Sequence, residues 1–167
     1  MLALLRRVVL RGSMALALLA CGLSGAAGAA GGGGGEGATP AKPEDAQYTA
    51  ALKAIKAKEY ARAIPLLEDV TQREPQNADA YNWLAYATRK NGDPAASIPI
   101  YEKALAIDPK HRGAHEYIGE AYLMLDQLPQ AEQHLARLDS LCVFGCAEHR
   151  ELKTAIANYK AGRKPTN

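Results

Sequence analysis

The residues able to do chemistry at the shortest spacing are Cys142, Cys146 and His149, which form a C-x3-C-x2-H cluster. Two thiolates and an imidazole suit a soft ion such as Cu(I) or Zn(II), whereas two thiols in an oxidising compartment close into a disulfide. No fourth ligand stands nearby, so a disulfide is the favoured reading and a metal centre at Cys142, Cys146 and His149 is the alternative. Residues four apart in one continuous helix are poorly placed to bridge, and Gly145 supplies the break that lets them meet. The spacing is not the C-x-x-C of a redox catalyst. His111 and His115 are four apart without the intervening Glu of an H-E-x-x-H zinc enzyme. His115 reads as packing, with His111 and His134 facing solvent. No Ser or Cys sits in a recognisable nucleophile motif. The chain reads as a non-enzyme that needs no cofactor.

The compartment that decides the cysteine chemistry is read from the N-terminus. Arg6, Arg7 and Arg11, an apolar run over residues 14–23 and the small residues Ala27, Gly28 and Ala29 predict an export signal over residues 1–29. The apolar run is shorter than the roughly 20 residues that span a bilayer. A second route competes, because Leu18, Leu19, Ala20 and Cys21 resemble a bacterial lipobox, in which Cys21 would carry lipid and begin the mature chain. Leu19 is not the usual residue there. By either route Cys21 leaves the thiol inventory, and export favours oxidation of the remaining pair. Residues 30–43, with Gly at every position from 31 to 35, bury too little surface to offset the entropy of ordering them, which predicts a disordered tether. Membrane attachment would come only through the lipid. The formal charge of +2 includes the three signal arginines, and without them the balance is −1, which gives no electrostatic case for nucleic acid.

Aromatics make up only 6% of the chain and Ala is abundant, a composition that favours closely packed helices and no sheet. Residues 79–90 and 94–107 read as two amphipathic helices joined by Asn91, Gly92 and Asp93, with Pro94 at a helix start. The pattern recurs every 34 residues: Pro75 and Pro109, then Ala51, Ala85 and Gly119, then Ala63, Ser97 and Ala131. Tyr81, Leu84, Tyr101 and Ala104 fill the other repeated places of the middle copy, and where that copy has Thr88 the third has the large aromatic Tyr122. The chain resembles the tetratricopeptide-repeat family on these positions. The resemblance implies an all-α solenoid of three helical hairpins, at about residues 44–75, 78–109 and 112–142. A capping helix at about 147–161, with Leu152, Ile156 and Tyr159 as its apolar stripe, completes a domain over 44–162, and 163–167 form a disordered tail.

In this family the first helix of each hairpin lines a concave groove that holds a protein or peptide segment. Carried onto this sequence, the resemblance places Tyr48, Leu52 and Ile55, then Asn82, Tyr86 and Arg89, then Glu116, Glu120 and Leu123 on that face. Some members grip a terminal carboxylate with Lys, Arg and Asn, but here the corresponding places hold Tyr48, Leu52, Trp83, Glu116 and Glu120. The expected ligand is therefore a segment with an aromatic or apolar anchor near Tyr48 and Tyr86 and a basic residue near Glu116 and Glu120. Trp83 and Tyr117, one repeat apart, are secondary candidates. The predicted role is an adaptor in the bacterial envelope; the alternative is a small metal-handling or redox-linked envelope protein built on the same repeats and using the Cys142, Cys146 and His149 corner.

Overall fold

The computed structural model describes residues 45–166. The export signal, the tether and Cys21 lie outside them, as does Asn167. The described residues form seven helices and no strand: α1 (Ala46–Lys56), α2 (Tyr60–Arg73), α3 (Ala78–Lys90), α4 (Pro94–Ile107), α5 (Arg112–Met124), α6 (Leu128–Leu141) and α7 (Ala147–Lys160).

Most starts are set by a side chain that accepts from the free N–H groups of the first turn. Asp45 takes the amides of Gln47 and Tyr48, Asn77 that of Ala80, and Asp93 that of Ala96. His111 does the same for α5, its Nδ1 accepting from the Ala114 amide at 3.0 Å. With Nδ1 an acceptor, Nε2 carries the proton and donates to Asp79 Oδ1 at 3.0 Å. His111 is therefore a cap tied to α3, and the expectation that it faces solvent is corrected. The three hairpin turns each contain a residue with positive φ at the same repeat position: Lys58 (61°), Gly92 (104°) and Asp126 (60°). Only the middle turn uses glycine, so the outer two carry a strain of about 1 kcal/mol each.

Within each hairpin the helices cross at small residues, with Ala51, Ala63, Ala85, Ser97 and Ala131 at 0% exposure. The Ser97 hydroxyl donates to the Pro94 carbonyl at 2.7 Å, which satisfies it in the dry interior. At Gly119 an added Cβ would lie 2.7 Å from both terminal methyls of Leu152, a core residue of α7. The cap helix thus docks on a glycine and buries Leu152 and Ile156 against Leu123, Ala131 and Leu138.

Cys142 ends α6 and Cys146 begins α7, and the two are joined by a disulfide with the Cα atoms 5.5 Å apart. Gly145, at φ 82°, makes the turn between them. The C-x3-C-x2-H ligand set is otherwise engaged: the sulfurs bond each other, and His149 Nε2 donates to Asp139 Oδ1 at 2.7 Å. The disulfide is the reading favoured from the sequence.

Two outcomes test this docking. Gly119→Leu should lower the free energy of unfolding by about 1–3 kcal/mol in urea melts, because the added side chain must displace Leu152 from a filled core. An unchanged midpoint would mean that α7 does not sit on α5. Replacing Cys142 and Cys146 together by Ser should cost about 2 kcal/mol, the chain entropy freed by opening so short a ring. The unreduced protein should show no titratable thiol at either position.

Candidate functional site

The first helices touch in succession, α1 with α3, α3 with α5 and α5 with α7, whereas α2, α4 and α6 make no contact with one another. Spacing that is tighter on one side than the other bends the stack, so the first helices form the inner wall of a curve. That wall is a groove.

Its centre is aromatic. The Trp83 ring lies 5.6 Å from Tyr86 and 6.3 Å from Tyr117, and Tyr86 lies 5.0 Å from Tyr117. Tyr60 closes the group edge-on to Tyr86 at 6.2 Å. These rings are half-buried, so each keeps part of a face open. Tyr48 and Leu52 continue the wall toward α1. Burial, with the Asp79 carboxylate as a lesser cause, pushes the Tyr48 phenol up to about 12, which keeps it a neutral donor.

Beneath the rings, Arg89 is 2% exposed. Its guanidinium stacks 5.4 Å from the Tyr86 centroid and 5.8 Å from Tyr117, and its Nη2 donates to Glu120 Oε2 at 2.9 Å. Burial opposes the charge, but Tyr101 and Glu120 outweigh it and hold the Arg89 pKa above its ordinary value. A buried charge that is paired and stacked in this way fixes how α3 meets α5. The cation expected on a ligand near Glu120 is thus supplied by the chain itself.

The nine residues assigned to the binding face divide. Tyr48, Leu52, Tyr86 and Glu120 are half-buried on the groove side, whereas Ile55, Asn82, Arg89, Glu116 and Leu123 are buried in the seams between successive first helices. Inner-wall helices stand so close that a face directed at the next repeat is covered. The places that open into the groove lie one position further on, at Trp83 and Tyr117. Another step of 34 residues reaches Glu151 on α7, which is exposed. The repeat period carried on into the cap would have found Glu151 from sequence.

Glu116 is 4% exposed. Burial first, then contact with Glu151 and the charges of Glu120 and Glu148, push its carboxyl up to about 9, so it is protonated at neutral pH. A second titrating site lies where α5 meets α6. His115 Nε2 donates to the Pro109 carbonyl at 3.1 Å, which leaves its Nδ1 to accept from His134 Nδ1–H at 2.9 Å. Burial and the neighbouring His115 bring His134 down to about 4. Tyr122 stacks on His134 at 5.7 Å, so His134 belongs to the packing and is not solvent-facing.

Comparison with known proteins agrees with this architecture. Sequence models of the tetratricopeptide repeat match residues 48–112 and 88–141. The chain is a tetratricopeptide-repeat protein. Among curated relatives, Protein FlbA of Caulobacter vibrioides (strain ATCC 19089 / CIP 103742 / CB 15) is 35% identical over 69 residues, 41% of this chain and 12% of FlbA. Tetratricopeptide repeat protein 1 of Schizosaccharomyces pombe (strain 972 / ATCC 24843) is 28% identical over 107 residues, 58% of this chain and 10% of that protein. The chain spans about a tenth of the length of these relatives. Among solved structures, MamA from Desulfovibrio magneticus RS-1 superposes with a TM-score of 0.55 at 27% identity, over 57% of this chain and 54% of its own. The first tetratricopeptide domain of human RPAP3 gives 0.62 at 20% identity, over 72% and 94%. That of Spaghetti (RPAP3), bound to the HSP90 peptide SRMEEVD, gives 0.61 at 21%, over 69% and 90%. The RPAP3 likenesses speak to fold alone.

The two buried titrating sites should give this tetratricopeptide-repeat protein a stability that depends on pH in opposite senses. Glu116 keeps its proton to about pH 9 when folded but loses it near 4.5 when unfolded, so stability falls as pH rises between those values. His134 takes its proton near 6.5 when unfolded but only near 4 when folded, so its contribution rises with pH over that window. In urea melts from pH 4 to 9, Glu116→Gln should flatten the alkaline fall and His134→Gln the acid rise. If either substitution left the profile unaltered, the assignment of that limb would be wrong.

Proposed function

We propose that this chain is a non-enzymatic adaptor of the bacterial cell envelope that holds an extended partner segment in the groove of its first helices. Tetratricopeptide-repeat proteins generally mediate protein–protein interaction. The observation that carries the reading to this groove is the half-buried aromatic wall of Trp83, Tyr86 and Tyr117. Rings already packed on one side lose little conformational freedom when a ligand covers the other, so they make efficient anchors. The peptide bound by the RPAP3 domain ends in acidic residues and a carboxyl terminus. This groove instead presents Tyr48, Leu52, Trp83 and Glu120 at the corresponding places, which disfavours an acidic tail. Tyr48 and Tyr86 would receive an aromatic or apolar side chain of the segment. Export rests on the composition of residues 1–29 and on the Cys142–Cys146 disulfide, which suits an oxidising compartment.

A photo-crosslinking residue at Tyr117, on the groove, should yield a defined adduct in cells. The same residue at the exposed Gln133 on α6 should not. Trp83→Ala should then weaken binding of the crosslinked partner at least about tenfold, the loss expected of an aromatic anchor. Equal crosslinking from both positions would overturn the reading. A fusion of residues 1–43 to a phosphatase active only outside the cytoplasm should show activity, and an inactive fusion would refute export.

A further inference from the structure

The inner wall of the groove is rich in hydrogen-bond donors and poor in acceptors. Its rings belong to Tyr48, Tyr60, Trp83, Tyr86 and Tyr117, and every one of them carries an O–H or an N–H. Among the described residues none of these groups bonds a backbone carbonyl, a carboxylate or an amide. None is sealed off either, since the buried polar atoms without a partner are Asn82 Oδ1, Arg89 Nε and the Tyr101 hydroxyl. Where two of the rings meet through their hydroxyls, as Tyr86 and Tyr60 do, one oxygen accepts and its own proton is left over. The carboxylates beside the wall are already engaged, Glu120 by Arg89 at 2.9 Å and Asp79 by His111 at 3.0 Å.

A surplus of donors selects among the segments that a helical groove can hold. A β-like strand carries an N–H on every residue, and each one turned toward a wall without free acceptors loses its water and gains no partner. A helical segment spends its N–H groups and its carbonyls on itself, so the ring hydroxyls would go unanswered. A proline-rich segment in the polyproline II form has the opposite balance. Proline has no N–H, and the carbonyls of that form are bonded to nothing within the segment, so they are free to accept. Its rings suit an aromatic wall, and it is extended before it binds, so little further order is imposed on it.

We infer that the groove takes a proline-rich segment in the polyproline II form, its pyrrolidine rings packed on Trp83, Tyr86 and Tyr117 and its carbonyls accepting from the hydroxyls of Tyr48 and Tyr117. The inference rests on the segment-binding reading above and names the chemistry of the segment. Burial holds the Tyr48 and Tyr117 phenols above their ordinary pKa, so both remain protonated donors over the physiological range. Arg89 supports the wall from behind, because it stacks on Tyr86 and Tyr117 and keeps Glu120 occupied. The wall therefore asks for acceptors and apolar surface, and for no charge.

The probe is an N-acetylated, C-amidated nonamer of proline, set beside one twin with alanine at alternate positions and another with N-methylalanine at those positions. The first twin restores N–H groups, and the second removes them again without the ring. Titrated into the full-length protein and read by the fluorescence of its single tryptophan, Trp83, and by calorimetry, the proline peptide should bind about tenfold or more tighter than the alanine twin. N-methylalanine should recover most of that loss. Tyr48→Phe and Tyr117→Phe each delete a hydroxyl and keep the ring, and each should weaken the proline peptide by about threefold to tenfold with an unchanged melting midpoint. Should one of the two fail to fold, the other carries the test. An alanine twin that binds as tightly as the proline peptide, or binding that is unchanged in the Phe variants, would overturn the inference and leave the groove reading standing. If no peptide binds, the inference falls as well, and the crosslink from Tyr117 alone then decides the groove reading.

Discussion

The close crossing of the two helices in each hairpin is the constraint from which the rest follows. Ala51 and Ala63, Ala85 and Ser97, and Gly119 and Ala131 place small buried residues on both helices of each hairpin, where any larger side chain would hold the backbones apart. Close crossing fixes the hairpin angle, and the angle repeated every 34 residues brings the first helices into contact while the second helices splay. Curvature, and so the groove, is a geometrical product of small residues that never touch a ligand. At Gly119 the constraint is most severe, because the same residue must also receive Leu152 from the cap.

Two adjacent seams resolve buried charge in different ways. Between α3 and α5 the solution is pairing: Arg89 is charged, stacked and bonded to Glu120. Between α5 and α7 it is protonation, with Glu116 neutral against Glu151. The first makes a rigid joint that is indifferent to pH over the physiological range. The second makes a joint whose charge state follows pH.

The architecture was legible in the sequence because it rests on period and on punctuation, both of which are local. Asp93, Pro94 and Gly92 announce a helix start and a turn by their own chemistry, and the helix over 94–107 ends where that pattern predicts. The groove was less legible. A face drawn on one helix does not say how near the next helix stands, so Ile55, Asn82, Arg89, Glu116 and Leu123 were assigned to an open surface that the neighbouring repeat covers. His111 looked like a surface residue because its role is made with a backbone amide and with Asp79, 32 residues away. Glu151 was absent from the binding face because α7 was read as a cap, although the period passes through it unbroken.

That period also shows how α7 differs from the first helices before it. The register of Ala51, Ala85 and Gly119 reaches Lys153 on α7, and Lys153 is exposed. A second helix could not cross there, because a long charged side chain stands at the place where two backbones would have to meet. α7 therefore offers an apolar side to the repeat before it and a wetted side to whatever follows, as a stopper ends a growing polymer. Repeat arrays with bare ends tend to stack on one another. Here the exposed lysine in register keeps the outer side of α7 wetted, so that side is not a bare apolar end.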